Sequence, residues 1–115
     1  MPRNNTAAVI GAGPAGALAA ITAARAGVSV TVYEKNRLTG KKLRITGKGR
    51  CNVTNNCPCD EFLRHVTKNS KFLYGAVNRF TPADTMEFFE SRCCPLKTER
   101  GNRVFPVSDR SFDIV

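Results

Sequence analysis

The chain has 115 residues, a length that suits one small domain with a modest hydrophobic core. Hydrophobic residues make up 42% and charged residues 23% of the chain, which excludes a disordered or fibrous protein. No apolar run approaches the ~20 residues that a membrane span needs. The net charge of +9 requires a nucleic-acid partner to be considered.

The first predicted elements are a strand, a glycine turn, a helix and a second strand. Ala7–Ile10 is a short apolar run, as expected for a strand that is buried on both faces. The alanine-rich stretch that follows predicts a helix, with Pro14 near its first turn and Gly27 as its left-handed stop. A second strand then ends at Glu34. Because residues 1–6 lead directly into the first strand without a signal peptide's pattern, we expect a cytoplasmic protein.

The turn between the first strand and the helix has the spacing Gly-x-Gly-x-x-Gly, formed by Gly11, Gly13 and Gly16. With an acid at the end of the next strand, this spacing is typical of a dinucleotide-binding βαβ unit; an ordinary glycine turn is the alternative. Gly11 permits the tight turn, Gly13 lets a pyrophosphate approach the backbone, and Gly16 lets the helix pack closely on the sheet. Glu34 can accept hydrogen bonds from both hydroxyls of an adenosine ribose and would repel a 2′-phosphate, so NADP is disfavoured. The fingerprint by itself leaves FAD and NAD open.

The segment that begins with Lys35 and ends with Cys59 contains seven basic residues and no acid. This basic segment fits a solvated loop, a nucleic-acid site or a phosphate-facing loop beside the glycine turn. The absence of aromatic residues argues against a stacking platform for nucleic acid. Gly40, Gly47 and Gly49 favour the phosphate-facing loop, because glycine lets the backbone approach a ligand while Lys or Arg offsets the ligand's charge.

Five cysteines raise the question of a metal site: Cys51, Cys57, Cys59, Cys93 and Cys94. No two of them have CxxC spacing, and His65 is the only histidine, so we expect free thiols and no metal. We expect His65 to lie on the surface of a helix.

Two helices are predicted after the basic segment. Asp60–Val66 is the first, with Asp60 at its start. Lys71–Phe80 is the second, because apolar residues recur there at the spacing of a helix face, namely Phe72, Leu73, Ala76, Val77 and Phe80.

A third helix is predicted from its start signals. Thr81 is expected as the N-cap, Pro82 at the first helical position and Asp84 in the first turn. This helix is expected to end near Cys93. Its apolar residues are expected in the core rather than at a cofactor: Met86, Phe88 and Phe89.

The last predicted elements are a β hairpin and the beginning of another helix. Leu96–Glu99 and Arg103–Val107 are the hairpin strands, joined by a turn at Arg100–Asn102. A helix is predicted to begin after Ser108 or Asp109, but the sequence stops within it. A dinucleotide-binding sheet normally has more than two parallel strands, so we expect the chain to be cut short.

Five motifs distributed over nearly the whole chain are long and unusual: Gly11–Gly16, Lys42–Asn55, Arg79–Pro82, Pro95–Glu99 and Arg103–Asp109. Together they resemble motifs of the bacterial BaiN-type NAD(P)/FAD-dependent oxidoreductases, also known as the aminoacetone oxidase family of flavoproteins. The resemblance implies an α/β fold in which a Rossmann-like FAD-binding βαβ unit is followed by helices and a short β hairpin. Members of that family have roughly three to four hundred residues, so the resemblance also implies that this chain is an N-terminal part.

The resemblance further implies that FAD binds at the glycine turn and that NAD(P)H is the electron donor of the full-length enzyme. The residues it implies beside FAD are Gly11, Ala12, Gly13, Pro14, Ala15, Gly16, Glu34, Lys35, Lys42, Leu43, Gly47, Gly49, Arg50 and Cys51. Lys48 stands where the family often has a third glycine. Cys51 has no partner at CxxC spacing and no identifiable base, so we expect it to pack rather than to act as a redox thiol.

We therefore divide the chain into a βαβ unit at residues 1–35, a basic cofactor-side segment at residues 36–59, and helices with a hairpin at residues 60–115. The expected function is that of a flavin-dependent oxidoreductase acting on a small organic substrate, without a nucleic-acid or membrane partner. Two alternatives remain: a non-catalytic FAD- or NAD-binding module or inactive fragment, and a nucleic-acid binder acting through Lys35–Arg50. The catalytic residues, the substrate and the oligomeric state stay open.

Overall fold

A computed structural model describes residues 5–115. Residues 1–4 lie outside the described residues. They include the start of the predicted βαβ unit and part of the segment in which the sequence shows no signal-peptide pattern. The chain forms two compact units, the first ending at Arg44 and including Val115, the second comprising Ile45–Ile114. The boundary between the units falls within the predicted basic segment.

The first unit contains the predicted βαβ unit. β1 (Thr6–Ile10) leads into α1 (Pro14–Arg25), and α1 leads into β2 (Ser29–Tyr33). β1 and β2 pair in parallel along their whole length. Pro14 occupies the first helical position, and Gly27 has a φ of +83°, which is the left-handed stop that the sequence predicts. The strand, helix and strand order is therefore confirmed.

The expectation that β1 is buried on both faces is wrong. Ala7 and Val9 are half-buried, whereas Ala8 and Ile10 are exposed, and Ile10 exposes 81% of its surface. Side chains alternate between the two faces of a strand, and Val9 lies on the face that packs against α1 at Gly16. The continuous apolar run therefore supplies one half-buried face and one exposed face.

A short helix, α2 (Lys41–Ile45), occupies part of the segment that the sequence predicted as a loop. It follows Gly40, which is buried and has a φ of +63°. The Gly40 N–H donates to the Ala12 carbonyl oxygen at 2.8 Å, and the Arg44 N–H donates to the Gly40 carbonyl oxygen at 3.0 Å. The start of α2 thus depends on a tertiary hydrogen bond, which local sequence patterns do not reveal.

The second unit combines helices with a small antiparallel sheet. Its elements in chain order are β3 (Thr54–Asn55), α3 (Cys59–Arg64), α4 (Ser70–Arg79), α5 (Pro82–Glu90), β4 (Leu96–Glu99) and β5 (Arg103–Pro106). The strand order is β3-β5-β4, so β5 is central. Val104, Phe105 and Pro106 are buried for this reason, and they form the core of the unit.

The start of α5 has the predicted capping structure. The Thr81 hydroxyl oxygen accepts from the Asp84 N–H at 3.1 Å, and the Asp84 carboxylate accepts from the Thr81 N–H at 2.8 Å. Pro82 is at the first helical position. The helix ends at Glu90, and hydrogen-bonded turns continue to Cys93, where the sequence predicts its end.

The preceding helices differ from expectation at their starts and in one face. α3 begins at Cys59 after Pro58, which places Asp60 inside the first turn rather than at the start. In α4, Leu73 and Val77 are half-buried, whereas Phe72 exposes 86% of its surface. Leu73 and Val77 are four residues apart and share one face, while Phe72 lies about 100° away from Leu73 around the helix. The expectation that Phe72 belongs to the apolar face is therefore wrong, and two further members of that predicted face, Ala76 and Phe80, are exposed as well.

The hairpin is confirmed, with β4 and β5 joined by a 3₁₀ turn at Arg100–Asn102, in which Gly101 has a φ of +75°. β3, which the sequence did not predict, pairs Thr54 with Val104 on the free side of β5. The prediction of a helix after Ser108 or Asp109 is wrong. A single 3₁₀ turn forms there, at Ser111–Asp113. Among residues 5–115, no helix has the length and apolar character that a membrane crossing requires.

Candidate dinucleotide-binding site

The glycine turn is fixed between the ends of the two parallel strands. Gly11 has a φ of +96°, a conformation that glycine adopts far more readily than other residues. Its N–H donates to the Tyr33 carbonyl oxygen at 2.7 Å, so the turn continues the hydrogen bonding between β1 and β2. The chain then enters α1 directly, which holds the loop residues at the carboxyl ends of the strands.

Gly16 is required by packing. A Cβ added there would overlap the Gly11 carbonyl oxygen and would lie 3.3 Å from the Val9 Cγ1 atom. A carbonyl oxygen in a hydrogen-bonded turn cannot move as a flexible side chain can. Gly16 therefore lets α1 lie close to the turn and to β1, as the sequence predicts.

Gly13 is required neither by backbone conformation nor by packing. Its φ of −76° and ψ of −178° suit any residue, and a Cβ added to it would meet no described atom within 4 Å. Glycine at this N-cap therefore leaves the backbone open to the close approach of a ligand. This observation fits a pyrophosphate at the loop.

The start of α1 provides hydrogen-bond donors for an anion. Gly13 is the N-cap and has no side chain that could accept from the first helical N–H groups, and Pro14 has no N–H. The first helical bond runs from the Ala17 N–H to the Gly13 carbonyl oxygen at 2.9 Å. The N–H groups of Ala15 and Gly16 therefore remain at the positive end of the helix, where a phosphate is stabilised.

Glu34 lies beside the turn and is bound by three N–H groups. Its Oε2 atom accepts from the Ala12 N–H at 2.7 Å, and its Oε1 atom accepts from the Asn36 N–H at 2.7 Å and the Asn36 Nδ2 at 2.6 Å. These hydrogen bonds, that of the Asn36 backbone first, lower the pKa of the Glu34 carboxyl below its ordinary value. The carboxylate is therefore charged at neutral pH and oriented by the loop itself.

The sequence does not predict the role of Asn36 or the bond that Gly40 makes in this arrangement. Asn36 orients Glu34, and Gly40 donates to the Ala12 carbonyl oxygen, so Ala12 is held through both its N–H and its carbonyl group. The only sequence signal for Asn36 is an amide two residues after the acid. The sequence indicates Gly40 as a position of close backbone approach, but no local pattern indicates its bond to Ala12.

The predicted site residues fall into two groups. The glycine turn, Glu34, Lys35, Lys42 and Leu43 belong to the first unit, where the turn, Glu34 and the start of α2 are joined through Ala12. Lys35 and Lys42 are exposed, and Leu43 is half-buried. The other group belongs to the second unit and consists of Gly47, Gly49, Arg50 and Cys51.

The second group forms a loop with left-handed backbone. Gly47, Lys48 and Gly49 have φ values of +57°, +59° and +88°. A Cβ added to Gly47 would lie 2.6 Å from the Phe105 Cε1 atom, so packing on the core explains this glycine without a ligand. At Gly49 a Cβ would meet no described atom within 4 Å, and only the backbone conformation favours glycine there.

Arg50 is engaged within its own unit. Its guanidinium lies 2.9 Å from a Glu99 carboxylate oxygen and 3.2 Å from an Asp109 oxygen. Its Cζ atom lies 4.0 Å from the centre of the Phe105 ring. The hydrogen bond to Glu99 first, and then that to Asp109, raise the pKa of Arg50, and these contacts give the residue a structural role. A contact between Arg50 and FAD stays a prediction.

Cys51 is fully buried, and burial raises the pKa of its thiol. A buried thiol of raised pKa reacts slowly, which favours the packing role that the sequence predicts. All five cysteines are free thiols. Within residues 5–115, no cluster of three or more His, Cys, Asp or Glu side chains is arranged to hold a metal ion.

The chain matches the HI0933-like protein Rossmann domain family over residues 5–115, and it belongs to this family. It is therefore a Rossmann-type dinucleotide-binding domain. The match confirms the α/β fold class and the family resemblance that the sequence predicts.

The chain is also similar to proteins whose names state an activity. The chain is 34% identical to the 3-dehydro-bile acid delta(4,6)-reductase of Clostridium scindens, over 96% of this chain and 27% of that protein. It is 35% identical to the ribosomal RNA dihydrouridine synthase of Escherichia coli, over 70% of this chain and 20% of that protein. It is 43% identical to digeranylgeranylglycerophospholipid reductase 1 of Methanococcoides burtonii, over 61% of this chain and 15% of that protein. Two of these three relatives are named as reductases. The matches cover about a quarter or less of each relative's length.

Proposed function

We propose that the chain binds FAD at the glycine turn and forms the cofactor-binding part of a flavin-dependent NAD(P)H oxidoreductase. The observation that carries the proposal is Gly13, where neither the backbone nor the packing requires glycine. Bound FAD would supply hydride chemistry, and the protein would contribute position and electrostatics.

The chain's own residues suit the two ends of the adenosine diphosphate moiety. The N–H groups at the start of α1 are donors for the pyrophosphate, and the glycine turn leaves space for it. Glu34 suits the ribose, because a carboxylate offers about four acceptor sites and three are used by N–H groups. The remaining site, on Oε2, can accept a ribose hydroxyl.

FAD is proposed in preference to NAD because of the family resemblance in the Lys42–Asn55 motif. NAD(P)H is proposed as the electron donor of the whole protein, and the substrate as a small organic molecule. The relatives are named for a bile acid, ribosomal RNA and a phospholipid, so their names do not agree on one substrate. A cytoplasmic location also stays a prediction.

The first test is a comparison of two glycine variants in the 115-residue chain. Gly13→Ala adds a methyl group where only a cofactor would meet it, and Gly75→Ala adds one on α4, where it likewise meets no described atom within 4 Å. We expect Gly13→Ala to weaken FAD binding by about 10- to 100-fold, since charge-assisted hydrogen bonds to the pyrophosphate are disturbed. Gly75→Ala should bind FAD as the wild type does.

FAD titration followed by flavin fluorescence and visible absorption would measure both affinities, and thermal melting would show that both variants fold. A wild-type chain that stays colourless and takes up no added FAD would contradict cofactor binding. Equal affinities for Gly13→Ala and Gly75→Ala would contradict the assigned site. Steady NAD(P)H oxidation by the flavin-loaded chain would exclude a non-catalytic module.

A further inference from the structure

Asn36 makes two hydrogen bonds to one oxygen of Glu34. The Glu34 Oε1 atom accepts from the Asn36 N–H at 2.7 Å and from the Asn36 Nδ2 at 2.6 Å. A carboxylate oxygen has about two lone-pair sites, so both acceptor sites of Oε1 are used within the chain. Both residues are half-buried. Asn36 therefore leaves Oε1 without an acceptor site for a ligand hydroxyl.

The other oxygen of Glu34 is fixed through Ala12. Oε2 accepts from the Ala12 N–H at 2.7 Å, and the Ala12 carbonyl oxygen accepts from the Gly40 N–H at 2.8 Å. Ala12 exposes only 6% of its surface, and neither of its peptide groups can turn without breaking one of these bonds. Oε2 thus keeps about one acceptor site, and the position of that site is set relative to the glycine turn.

We propose that Asn36 is a positioning residue that makes Glu34 accept one, and not both, of the ribose hydroxyls of a bound adenosine nucleotide. This role of Asn36 rests on the proposed binding of a dinucleotide at the glycine turn. A single acceptor site in a fixed position distinguishes between two hydroxyls that lie side by side on the ribose. The sequence alone allows Glu34 to bind both hydroxyls, because it does not show which acceptor sites are already used.

The two hydrogen bonds from Asn36 can be separated by substitution. The N–H belongs to the backbone and stays in Asn36→Ala, whereas the Nδ2 atom is lost. In this variant Oε1 keeps one donor and gains a free acceptor site, which the second hydroxyl can use. A purely structural role for Asn36 predicts a change in stability or in overall affinity, but no change in the choice between the hydroxyls.

The test measures binding of 5′-AMP, 2′-deoxy-5′-AMP and 3′-deoxy-5′-AMP to the 115-residue chain by calorimetric titration. In the wild type, one deoxynucleotide should bind about 10-fold more weakly than 5′-AMP, because a hydrogen bond to a charged group is lost, and the other should bind within about twofold of 5′-AMP. In Asn36→Ala, both deoxynucleotides should bind about 3- to 10-fold more weakly than 5′-AMP binds to the same variant.

A second measurement reports the contact between Asn36 and Glu34 without any ligand. Hydrogen bonds from the backbone of Asn36 and of Ala12, and then from the Asn36 side chain, lower the pKa of the Glu34 carboxyl, and the charge of Lys35 acts in the same direction. Asn36→Ala removes only the side-chain bond. The midpoint of the Glu34 titration, followed by NMR of the carboxyl carbon, should therefore be higher in this variant than in the wild type.

Asn78→Ala is the matched control. It also removes one hydrogen bond of a side-chain amide, from the Asn78 Nδ2 to the Tyr74 carbonyl oxygen at 2.8 Å, and it lies in the second unit. This variant should keep the nucleotide preferences and the Glu34 titration of the wild type. Thermal melting should show that both variants fold.

Three results would overturn the role of Asn36. The first is an equal loss of affinity for the two deoxynucleotides in the wild type, which requires no variant. The second is a preference between the hydroxyls that is the same in Asn36→Ala as in the wild type. The third is an unchanged Glu34 titration in Asn36→Ala, which would show that the side-chain bond is absent.

Failure of nucleotide binding itself gives a different result. A wild-type chain that binds neither FAD nor 5′-AMP would contradict the proposed function, and the role of Asn36 with it. A chain that binds both ligands but loses affinity equally for the two deoxynucleotides would overturn the role of Asn36 alone.

Discussion

The three glycines of the fingerprint lie in three different physical environments. Gly11 has a left-handed backbone, Gly16 has no room for a Cβ, and Gly13 has both an ordinary backbone and open space. The spacing in the sequence assigned these roles in advance, because the fingerprint describes a known geometry. The structure supplies an atomic reason for glycine at Gly11 and at Gly16, and the role of Gly13 stays a prediction.

Glu34 has a second role that the spacing does not indicate. The sequence predicts an acceptor for a ribose, and the structure shows a carboxylate that also holds the Ala12 N–H and is itself oriented by Asn36. Sequence patterns identify the acid at the end of a strand. They do not show which N–H groups will approach it, since those belong to a loop 22 residues earlier.

We predict that Glu34→Gln changes the choice of nucleotide. The amide lacks the charge that repels a 2′-phosphate, and its NH₂ group would face an N–H donor from Ala12 or Asn36. The preference for 5′-AMP over 2′,5′-ADP should fall by about fivefold, and calorimetric titration with both ligands would measure it.

Glu34→Asp is the matched control for this prediction, because it keeps the negative charge with a shorter side chain. It should keep the preference against the 2′-phosphate even if total affinity drops. An unchanged preference in Glu34→Gln would show that the carboxylate does not lie near the ribose.

Lys48 adopts a conformation that favours glycine. Its φ is +59°, and it stands where the resembled family often has a glycine. The left-handed backbone costs about 1–2 kcal/mol for a residue with a Cβ. The departure from the family pattern therefore falls at a position where glycine has a physical advantage.

At the level of elements, α5 owes its start to a reciprocal cap. Thr81 and Asp84 each accept a hydrogen bond from the other's N–H. We predict that Thr81→Ala lowers the free energy of unfolding by about 1 kcal/mol, because one N–H of the first turn loses its acceptor. Urea unfolding followed by circular dichroism would measure the change.

Thr81→Ser keeps the hydroxyl and should unfold close to the wild-type urea concentration. If Thr81→Ala and Thr81→Ser were equally destabilised, loss of the methyl group rather than of the cap would be responsible.

Helices α4 and α5 show which features of a helix can be predicted from the local sequence. The start of α5 was predictable because a cap involves residues three positions apart. The buried face of α4 was not predictable, because its apolar residues lie at several angles around the helix. Which of them is buried depends on the element that packs against the helix. Helix α4 packs on α3, Leu73 and Val77 are half-buried, and Phe72 is left in solvent.

At the level of the whole chain, charge is unevenly neutralised. In the second unit two cations and two carboxylates form one network: Arg50, Lys97, Glu99 and Asp109. Lys97 lies 2.7 Å from Asp109, and Arg50 contacts both acids. Hydrogen bonds to these cations lower the pKa values of Glu99 and Asp109. The network ties the loop at Arg50 to the hairpin and to the residues after it.

We predict that the chain loses stability in acid. The pKa values of Glu34, Glu99 and Asp109 are lowered in the folded chain. These carboxylates therefore contribute their full share to the free energy of unfolding when the pH is above the ordinary pKa values of 4.5 for Glu and 3.8 for Asp. This contribution to stability is lost as the pH falls through the lowered pKa values, because protonation weakens the hydrogen bonds and ion pairs of the carboxylates. The Tm should be nearly constant from about pH 7 to about pH 5 and fall by several degrees towards about pH 3.

Thermal melting at constant ionic strength would measure this, since salt screens the remaining charges. Glu99→Gln should show a smaller acid-dependent fall in Tm than the wild type. A Tm that is the same at about pH 5 and about pH 3 would contradict the prediction.

The sequence by itself determined the βαβ unit, the glycine loop, the capped helix and the hairpin, because each depends on residues close together in the chain. Tertiary structure alone decided which strand faces are covered, the pairing of β3 with β5, and the partners of Glu34 and Arg50. These depend on contacts between residues far apart in sequence, where no periodicity or spacing records which groups will meet. The exposure of Phe72 belongs to the same class, because a side chain is buried only if another element covers it.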